Sequence, residues 1–520
     1  LLHPINFIHL PKSCIFNEKN HSVILLQIFR NGVRALCFSL IASGVIAQRS
    51  PNIIFIYADD LGYGELGCYG QQKIKTPNLD QLAAAGIRFT QHYAGAPVCA
   101  PSRCMLLTGK HSGHAAIRGN FELGGFADST ERGQMPLPAG TFTVAQLLKQ
   151  AGYATAIIGK WGLGMHNTAG NPNNHGFDVA YGYLDQKQAH NYYPTHLWDN
   201  GKKDTLDNAE ISVHRPIDSA NATDSAFAYY QQKIYAPDKL TEKAMGFIEQ
   251  HAKEPFFLYL PYTLPHLSLQ IPDSLRKLYE GVFEERPYYG QKGYAPQRYP
   301  LSAYAAMITY LDAQVGKILG LLAHRKLDSN TLVIFSSDNG ATFDIGGANT
   351  PFFNSNGALR GTKGELFEGG IRVPMIARWP GHIVAGAVSD HISVQYDWMA
   401  TFAALTQQTI PATDGISILP TLLGKNADQQ QHPFLYFEFP ETGGQLAVRI
   451  GKWKGVKRNL RKNPTQPWML FDLALDPAER EDIASRFPQI IREMEAIVKK
   501  EHQQPLLKEW AFFWGDTTSK

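Results

Sequence analysis

Short apolar runs that stop abruptly at polar residues constrain the fold of this chain more than any other feature. Asn52–Ala58 reads Asn-Ile-Ile-Phe-Ile-Tyr-Ala, apolar without alternation, as a strand buried on both faces requires, and it stops at Asp59-Asp60. Ala154–Ile158 stops at Gly159-Lys160, Leu332–Ser337 stops at Asp338-Asn339, and Phe256–Leu260 is a fourth such run. Helical patterns separate them. Asn78–Ala85 ends at Gly86, Thr143–Gln150 closes near Gly152, and Asp238–His251 leads into the fourth run. Ser302–Leu322 places Tyr304, Ile308, Leu311, Val315, Ile318 and Leu322 on one helical face. Strands alternating with helices predict an α/β fold with a mostly parallel central sheet covered on both faces. Ligands of such sheets gather beyond the carboxyl ends of the strands, so the polar residues there are placed to share one site.

The pattern changes after about residue 425. Phe434–Phe439, Leu446–Ile450, Lys452–Lys457 and Trp468–Asp472 predict short antiparallel strands, and Gln489–Lys500 a final helix. We therefore expect a main domain over 48–425 and a small C-terminal α+β subdomain with an antiparallel sheet over 426–520. The stretch 161–235 is rich in Asn, Gly, His and Tyr and shows little periodicity, which predicts long loops that carry recognition.

At 520 residues the chain exceeds one small core, and 44% hydrophobic with 18% charged residues describes a folded protein. The net charge of +3 and the lack of a long basic run give no reason to expect a nucleic-acid partner. Arg30 and Arg34 precede the apolar run Ala35–Ala42, and Val45 and Ala47 suit a small-residue cleavage site. Residues 1–47 are thus expected to be a leader containing a signal peptide, too short for stable membrane insertion, with export to a periplasmic or extracellular compartment. Outside that leader the cysteines are Cys68, Cys99 and Cys104, too few and too odd for a disulfide framework. Cys68 and Cys104 could pair.

Cys99 precedes Pro101 and the run Met105-Leu106-Leu107, closed by Gly109, which predicts a short buried helix with Cys99 at its N-terminus. Amide N–H groups and the dipole there favour negative charge. Asp59, Asp60, Asp338 and Asn339 offer three carboxylates and one amide oxygen, a hard oxygen set suited to Ca2+ or Mg2+ rather than zinc. A lone cysteine before a helix is ordinarily structural, and single aspartates at strand ends are ordinarily turn residues. Here two acidic or amide pairs end two separate strands.

The string Cys99-Ala100-Pro101-Ser102-Arg103, continued by Leu106-Leu107-Thr108-Gly109, resembles the signature of the type I, formylglycine-dependent sulfatases. Gly152-Tyr153-Ala154-Thr155-Ala156-Ile157-Ile158-Gly159-Lys160-Trp161 resembles a second stretch of that family, and the likeness runs from about Asn52 to the C-terminus. It implies an alkaline-phosphatase-like sandwich and makes 48–425 the catalytic domain. It also implies that a formylglycine-generating maturation enzyme oxidises Cys99 to formylglycine (3-oxoalanine), whose hydrate is a gem-diol. One hydroxyl attacks sulfur and forms a sulfo-enzyme intermediate; deprotonation of the other expels sulfate. By the same resemblance Asp59, Asp60, Asp338 and Asn339 hold Ca2+, less readily Mg2+, in contact with the residue at Cys99. Arg103 steadies the hydrate, Lys160 and Lys363 bind sulfate, and His266 stands near the leaving group as a candidate general acid.

One departure concerns sulfate release. Many sulfatases carry a histidine two residues after the motif lysine; here that position is Gly162, so the resemblance assigns no base. His114, Arg118, Asn120 and His166 are candidate substrate-binding residues, as are His175, His190, Tyr192, Tyr193 and Trp198 in the long loop. The expected substrate is a sulfated galactose or N-acetylhexosamine unit of a polysaccharide. Two alternatives stand beside hydrolysis of sulfate monoesters. One is a phosphodiesterase or phosphonate monoester hydrolase of the same superfamily, and the other a non-catalytic glycan-binding protein.

Overall fold

The computed structural model describes residues 50–512; the expected leader over 1–47 lies outside them. The ten strands of the main sheet are β1 (Asn52–Ala58), β2 (Ile87–Phe89), β3 (Ala154–Lys160), β4 (Val179–Tyr183), β5 (His196–Asp199), β6 (Lys202–Thr205), β7 (Phe256–Pro261), β8 (Thr331–Ser337), β9 (Met375–Arg378) and β10 (Ala387–Ser389). Their spatial order is β10-β2-β9-β8-β1-β7-β3-β4-β5-β6. The five adjacent strands β8, β1, β7, β3 and β4 are all parallel, and antiparallel pairs appear only toward the edges. This is the expected mostly parallel sheet of an alkaline-phosphatase-like sandwich.

The unbroken apolar runs follow from burial on two sides. Ile54, Ile56 and Ala58 of β1 face a core shared with the helices α1 (Pro77–Ala84), α4 (Ala236–Gln250) and α5 (Pro300–His324). Ile53, Phe55 and Tyr57 face the opposite core with α2 (Cys99–Thr108), α3 (Val144–Gln150) and α6 (Asp397–Thr406). Each large apolar side chain so buried contributes about 1.5–3 kcal/mol, which fixes the strand in the middle of the sheet. Among the described residues one helix, α5, is long and apolar enough to cross a membrane, and 67% of that apolar window is buried. It is a core helix packed on the sheet.

Local signals set the helix ends. At α3 the Thr143 hydroxyl accepts from the Gln146 amide at 3.3 Å while the Gln146 side chain accepts from the Thr143 amide at 3.0 Å, a reciprocal cap. At α2, Gly109 adopts φ 68°, a left-handed conformation that glycine takes without strain.

The 161–235 stretch departs from expectation. Instead of loops alone it contains β4, β5 and β6, which extend the sheet to one edge. The outermost, Lys-Lys-Asp-Thr, is largely exposed, so no apolar pattern marks it.

A separate antiparallel sheet is built from β11 (Leu435–Phe439), β12 (Gln445–Ile450), β13 (Trp453–Lys457) and β14 (Met469–Asp472). One face, with Leu435, Phe437 and Phe439, packs on Tyr93, Leu366 and Tyr396. The other, with Tyr436, Leu446 and Val448, is covered by Met494 and Val498 of α7 (Pro488–Glu501). Cys68, Cys99 and Cys104 are all free, so the Cys68–Cys104 pair does not form.

Candidate active site

Four neighbouring parallel strands deliver the site from their carboxyl ends. Asp338 and Asn339 follow β8, Asp59 and Asp60 follow β1, His266 lies in the loop after β7, and Lys160 ends β3. Asp60 has φ 65°, unusual for a residue with a side chain. That turn is held by tertiary bonds: the Asp60 amide donates to Asp338 Oδ1 at 3.1 Å and the Leu61 amide to Ser337 Oγ at 2.9 Å.

Cys99 is buried at the first residue of α2, as the sequence predicts. A polar network seats that helix on the sheet. Gln395 accepts from Ser102 Oγ at 2.7 Å and from the Tyr57 hydroxyl, and donates to the Ser337 carbonyl at 2.6 Å.

Every charged group in the cluster is paired. Lys160 Nζ lies 2.7 Å from Asp59 Oδ2, and Lys363 Nζ 2.9 Å from the Asp60 carboxylate. Arg103 reaches Asp338 Oδ2 through Nε at 3.1 Å and Nη2 at 2.8 Å, Asp59 at 3.3 Å, and the Lys160 carbonyl at 2.8 Å. Burial disfavours both ammonium groups, but the neighbours that favour charge, led by Asp59 at Lys160 and by Asp60 at Lys363, together more than offset it, so both stay charged. Burial pushes the Asp338 carboxyl up, and Asp59 beside it adds to the shift.

Cys99 Sγ lies 3.4 Å from Asp59 Oδ1 and 3.5 Å from Lys363 Nζ. Burial, then Asp59, raise its thiol well above the ordinary range despite the two lysines. Burial, then Lys363, push His266 down to about 4. Its Nδ1 faces the Leu267 carbonyl, which accepts only from N–H, so Nδ1 carries the proton of the neutral ring. Nε2 then accepts from Lys363 Nζ at 3.1 Å.

The donors fit a hard dication. One ligand atom each from Asp59, Asp60, Cys99 and His266 lies within 4.8 Å of the others, and Asp60 bonds Asn339 Nδ2 at 2.8 Å. Asn339 Oδ1 is buried without a hydrogen-bond partner, an orphan that a cation among these carboxylates would satisfy.

Cys99, Arg103, Lys160, His266 and Lys363 thus meet Asp59, Asp60, Asp338 and Asn339 in one cluster. The four candidate substrate-binding residues separate. Asn120 Oδ1 accepts from the Ala100 amide at 3.1 Å, beside Cys99. His114 pairs instead with Asp414 at 3.0 Å. Arg118 is occupied by Glu438 and by the Ala115, Gln503 and Gly113 carbonyls. His166 stacks on Trp198 at 4.2 Å. These three are anchored elsewhere by partners that their closeness in sequence to the motifs does not reveal.

Of the loop candidates, His190 stacks on His266 at 4.8 Å, and the Tyr192 hydroxyl donates to the His266 carbonyl at 2.7 Å. His175 is held by the Ala169 and Thr141 carbonyls. Gln395, Glu122, Gln186 and Tyr294 escape the sequence reading. Gln186 has a trace there: Gly162 has φ +73°, and a Cβ on it would meet Gln186 Oε1 at 3.1 Å.

The sulfatase family model matches residues 51–408, and the model of the C-terminal region of N-sulphoglucosamine sulphohydrolase matches 362–504. Arylsulfatase A of Bos taurus is 32% identical over 495 residues, covering 88% of this chain and 88% of its own length. N-acetylgalactosamine-6-O-sulfatase of Bacteroides thetaiotaomicron is 29% identical, covering 87% of this chain and 93% of its own. The solved structure of Ps i-CgsB in complex with k-i-k-neocarrahexaose is 28% identical with TM-score 0.71, covering 90% of this chain and 96% of that one. With a strand-end cluster of buried carboxylates and cations around the motif cysteine, and the family model matching well over half its length, this chain belongs to the sulfatase family and is a sulfuric ester hydrolase.

Proposed function

We propose that the chain hydrolyses sulfate monoesters of a sulfated carbohydrate once Cys99 has been converted to formylglycine, with Ca2+ held by Asp59, Asp60, Asp338 and Asn339. The observation that carries this reading is the environment of Cys99. A buried thiol beside Asp59 that stays protonated is a poor nucleophile, although two lysines and a helix N-terminus surround it. The surroundings suit an oxygen nucleophile and an oxyanion, not a thiolate. The hydrated formylglycine would supply a gem-diol that attacks sulfur and then releases it without a second enzyme nucleophile, and the cation would supply a Lewis acid.

The chain's own groups do the rest. Asp59, Asp60 and Asp338 balance Arg103, Lys160 and Lys363, so a dication leaves the cluster positive and ready for a sulfate monoester. Lys160 and Lys363 neutralise sulfate oxygens. Arg103 fixes the Asp338 carboxylate and the end of β3. Lys363 Nζ donates to His266 Nε2 across 3.1 Å, which orients an ammonium proton for delivery to the departing alkoxide.

The carbohydrate class follows from the relatives. One is named for N-acetylgalactosamine-6-O-sulfate chemistry and another was solved with a neocarrahexaose. The apolar leader supports export to a periplasmic or extracellular compartment, and a formylglycine-generating enzyme is the required partner. The test is peptide mass spectrometry of the native-host protein at Cys99, paired with sulfate release from 4-nitrophenyl sulfate and from galactose 6-sulfate and N-acetylgalactosamine 6-sulfate. The aldehyde mass with sulfate release is expected. An unmodified thiol in fully active protein refutes the reading.

A further inference from the structure

Two segments outside the charged cluster run along its rim. The first, Asn120–Phe126, is tied at one end to the start of α2, where Asn120 Oδ1 accepts from the Ala100 amide next to Cys99. At its other end the Phe126 ring lies 5.4 Å from that of His190, which stacks on His266 at 4.8 Å. The second, Leu184–His190, leaves β4 beside Lys160 and ends at the same His190. The two segments therefore run from the Cys99 end of the cluster to its His266 end.

Along the rim one acidic side chain is held in place. Glu122 accepts from Gln186 Nε2 at 3.3 Å and lies 3.5 Å from Lys187 Nζ. Lys187 is tied in turn to the Gly124 carbonyl at 2.7 Å. The Glu122 side chain keeps 19% of its surface open, and Lys160 lies within its electrostatic reach. Gln186 is buried beneath it, with Oε1 unpartnered. Tyr294 links the two regions: its ring lies 6.2 Å from that of His266 and 5.3 Å from that of His190.

The apolar part of the rim is aromatic and unusually open. Phe126 is 39% exposed, and its ring lies 3.9 Å from that of His214, which faces Tyr294 at 5.1 Å. An exposed phenylalanine braced by two imidazole rings is a platform rather than a frayed loop tip. A carboxylate that accepts hydroxyl hydrogen bonds beside an aromatic platform is the pairing that a sugar ring, polar at its edge and apolar on its face, can use.

We propose that Glu122, Phe126, His214 and Tyr294 form the leaving-group subsite and select a hydroxylated pyranose that carries no anion besides the scissile sulfate. Glu122 takes ring hydroxyls and the Phe126–His214 platform takes the C–H face. The charge condition follows from the rim. Lys187 Nζ is the ammonium beside Glu122, Asp185 is held by the backbone amides of Lys187, Arg132 and Gly133, and Glu441 accepts from the Asn120 amide. A second sulfate on the ring would meet the partly open Glu122 carboxylate, away from the cationic cluster.

This inference rests on the sulfate-ester reading, and the experiment separates the two. Wild type, Glu122→Gln and Phe126→Ala are assayed for kcat/KM on 4-nitrophenyl sulfate, on N-acetylgalactosamine 6-sulfate and galactose 6-sulfate, and on the 4,6-disulfates of both sugars. Both variants are expected to lose 30-fold or more on the better monosulfated sugar, with a loss on the aryl ester at least tenfold smaller. Wild type is expected to disfavour the disulfate at least tenfold, and Glu122→Gln to narrow that gap. Equal losses on sugar and aryl ester, turnover of the aryl ester alone, or a disulfate gap indifferent to Glu122→Gln overturns the subsite. Wild type that cleaves no sulfate ester defeats the functional reading instead.

Discussion

Replacing Arg103 with methionine removes a fully buried guanidinium and leaves its partners in place. Asp338 loses both contacts to one oxygen, Asp59 loses a third, and the Lys160 carbonyl a fourth. Three buried carboxylates then face two lysines. Breaking a buried ion pair from one side costs about 3–5 kcal/mol, because the orphaned charge keeps its desolvation penalty without its partner. Unfolding entropy for a chain of this size is about 1 kcal/mol/K, so Tm should fall by about 3–5 °C in calorimetry. Two further signatures distinguish this from lost packing. Without Arg103 the Asp338 carboxyl, already pushed up by burial and by Asp59, rises further. The folded state then holds a proton that the unfolded chain has released, so stability falls as pH rises, and the penalty is larger at pH 8 than at pH 5. A bound dication also compensates Asp338, so the penalty is larger in chelator than in calcium. Asp338→Asn in the same background should recover much of the loss. A loss below about 1 kcal/mol in chelator at pH 8, or no recovery in the double variant, would refute the reasoning.

Two other perturbations test the scaffold. Burial pushes His92 down to about 3; Ser393 bonds its Nδ1 at 2.9 Å, and its Nε2 is unpartnered. The unfolded chain protonates this ring near pH 6.5 and the folded state does not, so its contribution declines as pH falls from about 6.5 toward about 3, by about 2 kcal/mol at pH 5; His92→Leu should flatten that slope in denaturant titrations, and an unchanged slope counts against the assignment. Gln395→Ala removes the bonds that join Ser102, Tyr57 and Ser337, and kcat should fall about 100-fold with a smaller change in KM, since the start of α2 is displaced while the cations remain. Wild-type kcat in a folded Gln395→Ala protein would show that the network does not position the helix.

The central strands were readable because burial on both faces writes an unbroken apolar run. Asn52–Ala58 is β1 residue for residue, and the neighbouring parallel strands differ from expectation by one or two residues at their ends. The same logic located Asp59, Asp60, Lys160, Asp338 and Asn339, because each sits where such a run stops. Edge strands carry no comparable mark. β6 is exposed and polar, so its place in the sheet rests on backbone pairing with β5, which side-chain pattern does not encode.

The alternation of apolar runs and helices, with polar residues at the run ends, was enough to dictate a parallel sheet, the location of its site and the chemistry of its donors. These are consequences of local pattern and of where a parallel sheet leaves its strand ends. Tertiary structure alone decided which side chains face that site. Gln395 bonds Ser102 from 293 residues away and Asn339 bonds Asp60 from 279, while Arg118, fifteen positions beyond Arg103, turns to Glu438 instead. Hydrogen bonds and ion pairs depend on direction and distance in space, and separation along the chain sets neither of them.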